Sequence, residues 1–139
     1  MFLFNLIDES SKIQSVYSSE LTANSPIYSR TSCQSFNYYQ VIELNVIETS
    51  FYTITTNSTI DTYVFIYKNN FNIFNPKINL ISQNDNVGCG NQFKITNHLQ
   101  INTTYVLIVT TRDENVEGTF SVHVTGQNDV SFSLISEYF

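Results

Sequence analysis

The sequence predicts an all-β fold, an antiparallel β-sandwich of jelly-roll character with about nine or ten strands. Three observations lead there. Apolar residues recur at every second position, the period of a strand with one buried face. Phe and Tyr together number 20 and Thr 15, against a single alanine, and aromatic and β-branched side chains suit a pleated surface. The apolar runs are short and separated by polar turns, with no strand–helix–strand rhythm, which is the pattern of sandwiches and jelly rolls.

Residues 2–8 and 27–31 are weak strand candidates, and residues 10–20 read as a stretch with room for one helical turn. Residues 38–47 form a first clear strand, with Tyr38, Gln40, Ile42, Leu44 and Val46 on one face. Residues 51–56 alternate again. Residues 62–67, TYVFIY, are apolar on both faces, as a central strand requires. Residues 69–76, NNFNIFNP, read as a loop with two buried phenylalanines. A short strand at 80–82 runs into the turn-rich QNDNVGCGN. Phe93, Ile95, Leu99 and Ile101 flank an expected kink at Asn97. Residues 104–110, TYVLIVT, are a second fully buried strand. Residues 119–125, TFSVHVT, alternate between Gly118 and Gly126, which places His123 on the polar face. Residues 130–136 close the series.

Composition narrows the function. Asn, Ser and Thr supply 48 of the 139 residues, and charged residues only 13%. A net charge of -6, with scattered acids, gives no basic footprint for nucleic acid. No apolar run has the length of a membrane span. MFLFNLIDES lacks the basic start and cleavage site of a signal peptide, so in a secreted protein residue 1 would be internal to a precursor or an arbitrary start. Cys33 and Cys89 are expected to form a disulfide. A loop of 56 residues closed this way is worth about 3–4 kcal/mol in the chain-entropy treatment. Two buried thiols or a metal pair are the rival readings, the latter without a nearby histidine in sequence. Asn57-Ser58-Thr59 and Asn102-Thr103-Thr104 are N-glycosylation sequons. With the cysteines they favour an extracellular or cell-surface setting.

A short segment recurs. FNLIDE at 4–9 and FSLISE at 132–137 match at four of six positions, 128 residues apart. The division is therefore residues 1–9 as an N-terminal strand or linker, 10–127 as the sandwich, and 128–139 as a strand resembling the start of a next repeat. Phe4, Leu6 and Ile7, and Phe132, Leu134 and Ile135, are candidate assembly strands. A strand donated to a neighbour links subunits through main-chain hydrogen bonds, and such a contact need not close. The alternative is coincidence between two apolar strands in a low-complexity sequence.

Four segments in order carry a wider pattern: Asp61-Thr62-Tyr63-Val64-Phe65-Ile66-Tyr67; Asn79-Leu80-Ile81-Ser82-Gln83-Asn84-Asp85; residues 103–110, TTYVLIVT; and Gly118-Thr119-Phe120-Ser121-Val122. Over residues 36–126 this resembles the bacterial pre-peptidase C-terminal domain, in its tandem, disulfide-bearing form. The resemblance implies a jelly-roll-like sandwich without catalytic activity, accompanying secreted proteases or decorating surface proteins. Relatives include collagen-binding and calcium-stabilised modules. The chain departs from the pattern twice: the acidic pair is Asp85-Asn86, with one carboxylate, and Asn102 replaces a glycine.

Site by site, Asp61 and Asp85 are the calcium candidates, against the simpler reading of Asx turns that cap their own backbone. No other cofactor is expected. His98 and His123 read as surface residues, and no nucleophile elbow is present, so no enzymatic activity is expected. Asp113, Glu114 and Glu117 read as a solvated loop tip. Phe36, Tyr38, Tyr39, Phe71 and Phe74 are candidates for a sugar-stacking platform. The functional expectation is a structural or adhesive module assembling head to tail through terminal strands, with other copies of itself as partners. The rival is a carbohydrate- or matrix-binding accessory module.

Overall fold

The computed structural model describes residues 12–28, 37–84 and 94–135. They form eleven strands: β1 (Ile13–Leu21), β2 (Ile27–Tyr28), β3 (Asn37–Tyr38), β4 (Gln40–Val46), β5 (Ser50–Ser58), β6 (Thr62–Lys68), β7 (Leu80–Asn84), β8 (Lys94–Leu99), β9 (Tyr105–Thr111), β10 (Gly118–Gly126) and β11 (Val130–Ile135). One sheet has the order β1-β10-β5-β8 and the other β11-β4-β9-β6-β7, while β2 and β3 make a small separate ribbon. Every pairing is antiparallel.

The pairings are nested. β1 meets β10, β4 meets β9, β5 meets β8, and β6 meets β7. This is one long hairpin with its tip at β6–β7. Pairing β5 with β10 and β6 with β9 rolls it into two facing sheets, the jelly roll. The expected fold class is the observed one. β11 alone lies outside the nested set, added to the free side of β4. The break expected at 127/128 therefore falls within one sandwich, because residues 130–135 belong to its five-stranded sheet.

The period-two reading decides which side chains fill the core. Ile42, Leu44 and Val46 of β4 face Tyr52 and Ile54 of β5, Val64 and Ile66 of β6, Leu107 and Val109 of β9, and Val122 and Val124 of β10. The fully apolar runs of β6 and β9 have a second use. Their other faces carry Phe65, Tyr67, Val106 and Ile108, which join Tyr39, Val41 and Phe71 in a second apolar cluster. The loop after β6 folds over that cluster and buries Phe71 against Tyr67 and Tyr39, with ring centroids 5.0 and 6.1 Å apart. Phe74 does not follow it: it is 94% exposed, which corrects the expectation of two buried phenylalanines. The backbone NH of Phe74 bonds instead to Asn72 Oδ1, an Asx turn that directs the ring outward.

Two further expectations change. Residues 13–21 form β1 rather than a helical turn, with Tyr17 and Leu21 on the core side. β8 pairs with β5 without a break at Asn97. Asparagine also takes over a role usually given to glycine. Asn69, Asn79, Asn102 and Asn115 all adopt positive φ, between 61° and 77°, where asparagine is the non-glycine residue best tolerated. A chain with four glycines makes its left-handed turns this way. The departure at Asn102 thus preserves the backbone that a glycine would supply.

Candidate interaction surfaces

The β11 position is built from three contacts. Phe132 packs into the main core and lies 5.7 Å from the Tyr17 ring. Ile135 packs on the second cluster. Leu134 pairs with the buried Ile42 yet is 53% exposed, because the sandwich is open between β1 and β11 at this end. Gln40 spans the opening. Its amide nitrogen donates to Ser19 Oγ (2.7 Å) and the Glu20 carbonyl (3.1 Å), and its oxygen accepts from the Tyr17 hydroxyl (3.1 Å). At the other end of β11 the Val130 NH donates to Ser15 Oγ at 3.0 Å. Among the described residues, no strand pairs with the side of β11 that faces away from β4.

The outer face of the four-stranded sheet is a second surface. The register puts Gln14, Thr125, Thr53 and Thr96 in one row, and Val16, His123, Thr55 and Lys94 in the next. Thr53 and Thr96 join hydroxyls across the strands at 3.0 Å. His123 Nε2 lies 2.9 Å from Ser121 Oγ, the geometry in which an imidazole can take a hydroxyl proton. Its cross-strand neighbours Val16 and Thr55 bring no carboxylate to orient it. His98 is exposed and sits edge-on to Phe51 at 4.9 Å. A shallow groove of about 600 Å3 opens at one end of this face, lined by Ser18, Glu20, Asn57, Thr119 and Ser121 among others.

The remaining sequence candidates separate. Asn57 is exposed at the end of β5, and Asn102 is exposed in the β8–β9 turn at the opposite end of the sandwich. Asp61 faces Arg112, Oδ2 to Nη1 3.5 Å, while its carbonyl accepts the Arg112 NH. Its other carboxylate oxygen, Oδ1, is buried without a hydrogen-bond partner among the described residues. Asp113, Glu114 and Glu117 lie exposed between β9 and β10, and Glu117 accepts the Ala23 NH at 3.0 Å. The aromatic platform does not assemble on the surface, since Tyr39 and Phe71 are buried against each other and Tyr38 packs on the main core. Cys33, Cys89, Asp85, Phe36, Phe4, Leu6 and Ile7 lie outside the described residues.

Two features were missed in the sequence reading. Gln40 was assigned to its face correctly, but its role as a strut depends on Tyr17 and Ser19, in a stretch read as having room for one helical turn. The groove joins residues from β1, β5 and β10 that no spacing connects. No family model matches the chain, and no curated protein matches it.

Proposed function

We propose that this chain is a non-catalytic, extracellular structural or adhesive module that works in a head-to-tail series joined through terminal β-strands. One observation carries the proposal. β11 stands outside the nested pairings that complete the jelly roll, and the side chains that seat it recur at residues 4–9. The resemblance to the pre-peptidase C-terminal domain, a family without activity of its own, supports the same reading. So do two exposed sequon asparagines, which are open to glycosylation in a secretory setting.

The test perturbs residues 4–9, because β11 belongs to the chain's own sheet and its removal would damage the sandwich. Negative-stain electron microscopy of the full chain should show linear assemblies, and Leu6→Asp with Ile7→Asp should dissolve them. Assemblies unchanged by the double substitution would defeat the proposal.

A second reading, binding of carbohydrate or matrix polymers, draws on the hydroxyl-lined groove beside Asn57. Ser, Thr, Asn and carboxylate groups are the donors and acceptors that a polyol uses. A glycan array, with and without calcium, checks it. Saturable binding that Ser121→Ala and Glu20→Ala abolish would favour this reading over the first.

A further inference from the structure

The β6–β7 loop, residues 69–79, is built to hold an aromatic ring in water. Phe71 is 3% exposed, yet Phe74 in the same loop is 94% exposed. The contrast comes from the loop's own bonds. The Phe74 NH donates to Asn72 Oδ1, the Asn75 NH to the Asn72 carbonyl, and the Ile78 NH to the Asn75 carbonyl. Asn79 Nδ2 donates to Asn70 Oδ1 at 2.8 Å and closes the loop at its base. Phe71 packs on Tyr67, and the Tyr67 hydroxyl donates to the Pro76 carbonyl, so both limbs are fastened to the sheet. A lone exposed phenylalanine is ordinary on a protein surface. One held outward by a closed set of turns is a specified position.

Two features surround it. The first is apolar. Ile78 of the same loop is 44% exposed, and Ile101 and Ile47, in the β8–β9 and β4–β5 turns, are 47% and 61% exposed. These turns share one end of the sandwich, since Leu99 pairs with Ser50, and Tyr105 with both Leu44 and Lys68. They are also joined: the Asn69 NH donates to the Thr104 carbonyl at 2.8 Å, and the Ile101 NH to Thr49 Oγ1 at 2.9 Å. The second feature is charge. The chain has 12 acidic residues against 6 basic ones, yet residues 62–84 hold Lys68 and Lys77 and no acid. Among the described residues neither lysine is in an ion pair. Glu48 and Asp129, the acids at this end, belong to the β4–β5 and β10–β11 turns, across β9 from the loop. Glu48 Oε1 already accepts from Asn128 at 3.1 Å. The opposite end is acidic, with Asp61, Asp113, Glu114 and Glu117 against Arg112.

The occupant must match apolar tips of unequal height beside positive charge. A protein partner offers a fixed surface, and a stable one buries about 800 Å2 on each side, more than a few separate side chains supply. A bilayer interface yields to protrusions and takes apolar side chains at the headgroup boundary. Where its lipids are anionic, it also attracts lysines. We infer that the β6–β7 end of the sandwich docks on a bilayer containing anionic phospholipid. Phe74 inserts, Ile78 and Ile101 meet the surface beside it, and Lys68 and Lys77 lie against lipid phosphates. The head-to-tail series is not needed for this contact, and the failure of either leaves the other standing.

The chain has no tryptophan, so Phe74→Trp places a single fluorescent reporter at the tip. Full-length chains are mixed with vesicles of phosphatidylcholine alone, or of phosphatidylcholine and phosphatidylserine in equal parts. Binding is read by flotation and by the emission of the reporter. The expected result is flotation with the mixed vesicles, weaker flotation with phosphatidylcholine alone, and a blue-shifted emission that is lost as salt rises. Phe74→Ser should weaken binding about tenfold or more, since burial of a phenylalanine is worth at least that factor. Lys68→Gln with Lys77→Gln should also weaken it about tenfold or more, at about fivefold for each lysine near an anionic surface. All three side chains are exposed, so an unchanged urea midpoint will show that the variants fold. No flotation, equal flotation with phosphatidylcholine alone, or binding unmoved by these substitutions would overturn the inference. An emission shift that follows the chain's own concentration without vesicles would assign the tip to a second copy and overturn it equally.

Discussion

Gly126 offers a sharp test of how the sheets are packed. It ends β10 opposite Ile13, and a Cβ added there would lie 2.4 and 2.7 Å from ring carbons of Tyr52. The ring has little freedom to withdraw. Tyr52 is fully buried, and its hydroxyl donates to the Glu48 carbonyl at 2.6 Å. Gly126→Ala must therefore displace the ring or the strand. Overpacking of this kind costs about 1–3 kcal/mol, and loss of the hydroxyl bond adds about 1 kcal/mol. The expected loss is about 2–4 kcal/mol, read as a lower urea midpoint with unchanged slope. Tyr52→Leu combined with Gly126→Ala should cost less than the sum of the two single changes, because the smaller side chain removes the clash. A Gly126→Ala chain within about 0.5 kcal/mol of the parent, the range of an ordinary surface change, or strict additivity in the pair, would refute the packing argument.

Further predictions concern charge, the strut and the turn. Burial pushes the Tyr39 hydroxyl up to about 12 and raises that of Tyr67 further still. Unfolded tyrosines ionise near 10, so the stabilising difference is complete below pH 10 and is lost as pH rises toward 12, at about 1.4 kcal/mol per pH unit for each tyrosine. Alkaline unfolding followed by circular dichroism should begin above pH 10 and move to higher pH in Tyr39→Phe; an unmoved transition would contradict it. Gln40→Ala removes three hydrogen bonds between β4 and β1 and should cost about 1–3 kcal/mol, with faster hydrogen exchange in β1 than in β9. Asn102→Gly should leave thermal stability nearly unchanged, whereas Asn102→Val, forced to φ of 64°, should cost about 1–3 kcal/mol.

The fold was legible where one physical signal dominated. β6 and β9 had to be central because TYVFIY and TYVLIVT offered no polar face to water. β4 and β10 showed their two faces by alternation, down to His123 pointing outward. β1 was hidden because Gln14, Ser15, Ser18, Ser19 and Glu20 leave only Tyr17 and Leu21 to mark its core side. Polar residues also occupy partly buried positions there, held by Gln40 and Val130. The two phenylalanines of the β6–β7 loop could not be told apart by composition. Asn72 separates their fates through one hydrogen bond to the Phe74 NH. The aromatic platform failed for a related reason: rings close in sequence, Tyr38 and Tyr39, alternate between the two apolar clusters instead of sharing a surface. The terminal repeat was visible as letters, but its meaning required β11. Only the register shows that the shared Phe and Ile pack against the two apolar clusters on opposite faces of β11.

The central claim is that residues 4–9 join one sandwich to another. Sedimentation velocity of the full chain over a wide concentration range tests it most directly, run beside a chain carrying Leu6→Asp and Ile7→Asp. The account predicts that the parent chain gains mass beyond one chain as concentration rises and that the double substitution holds it at one chain. A parent that stays at one chain throughout, or a substituted chain that assembles as the parent does, would contradict it.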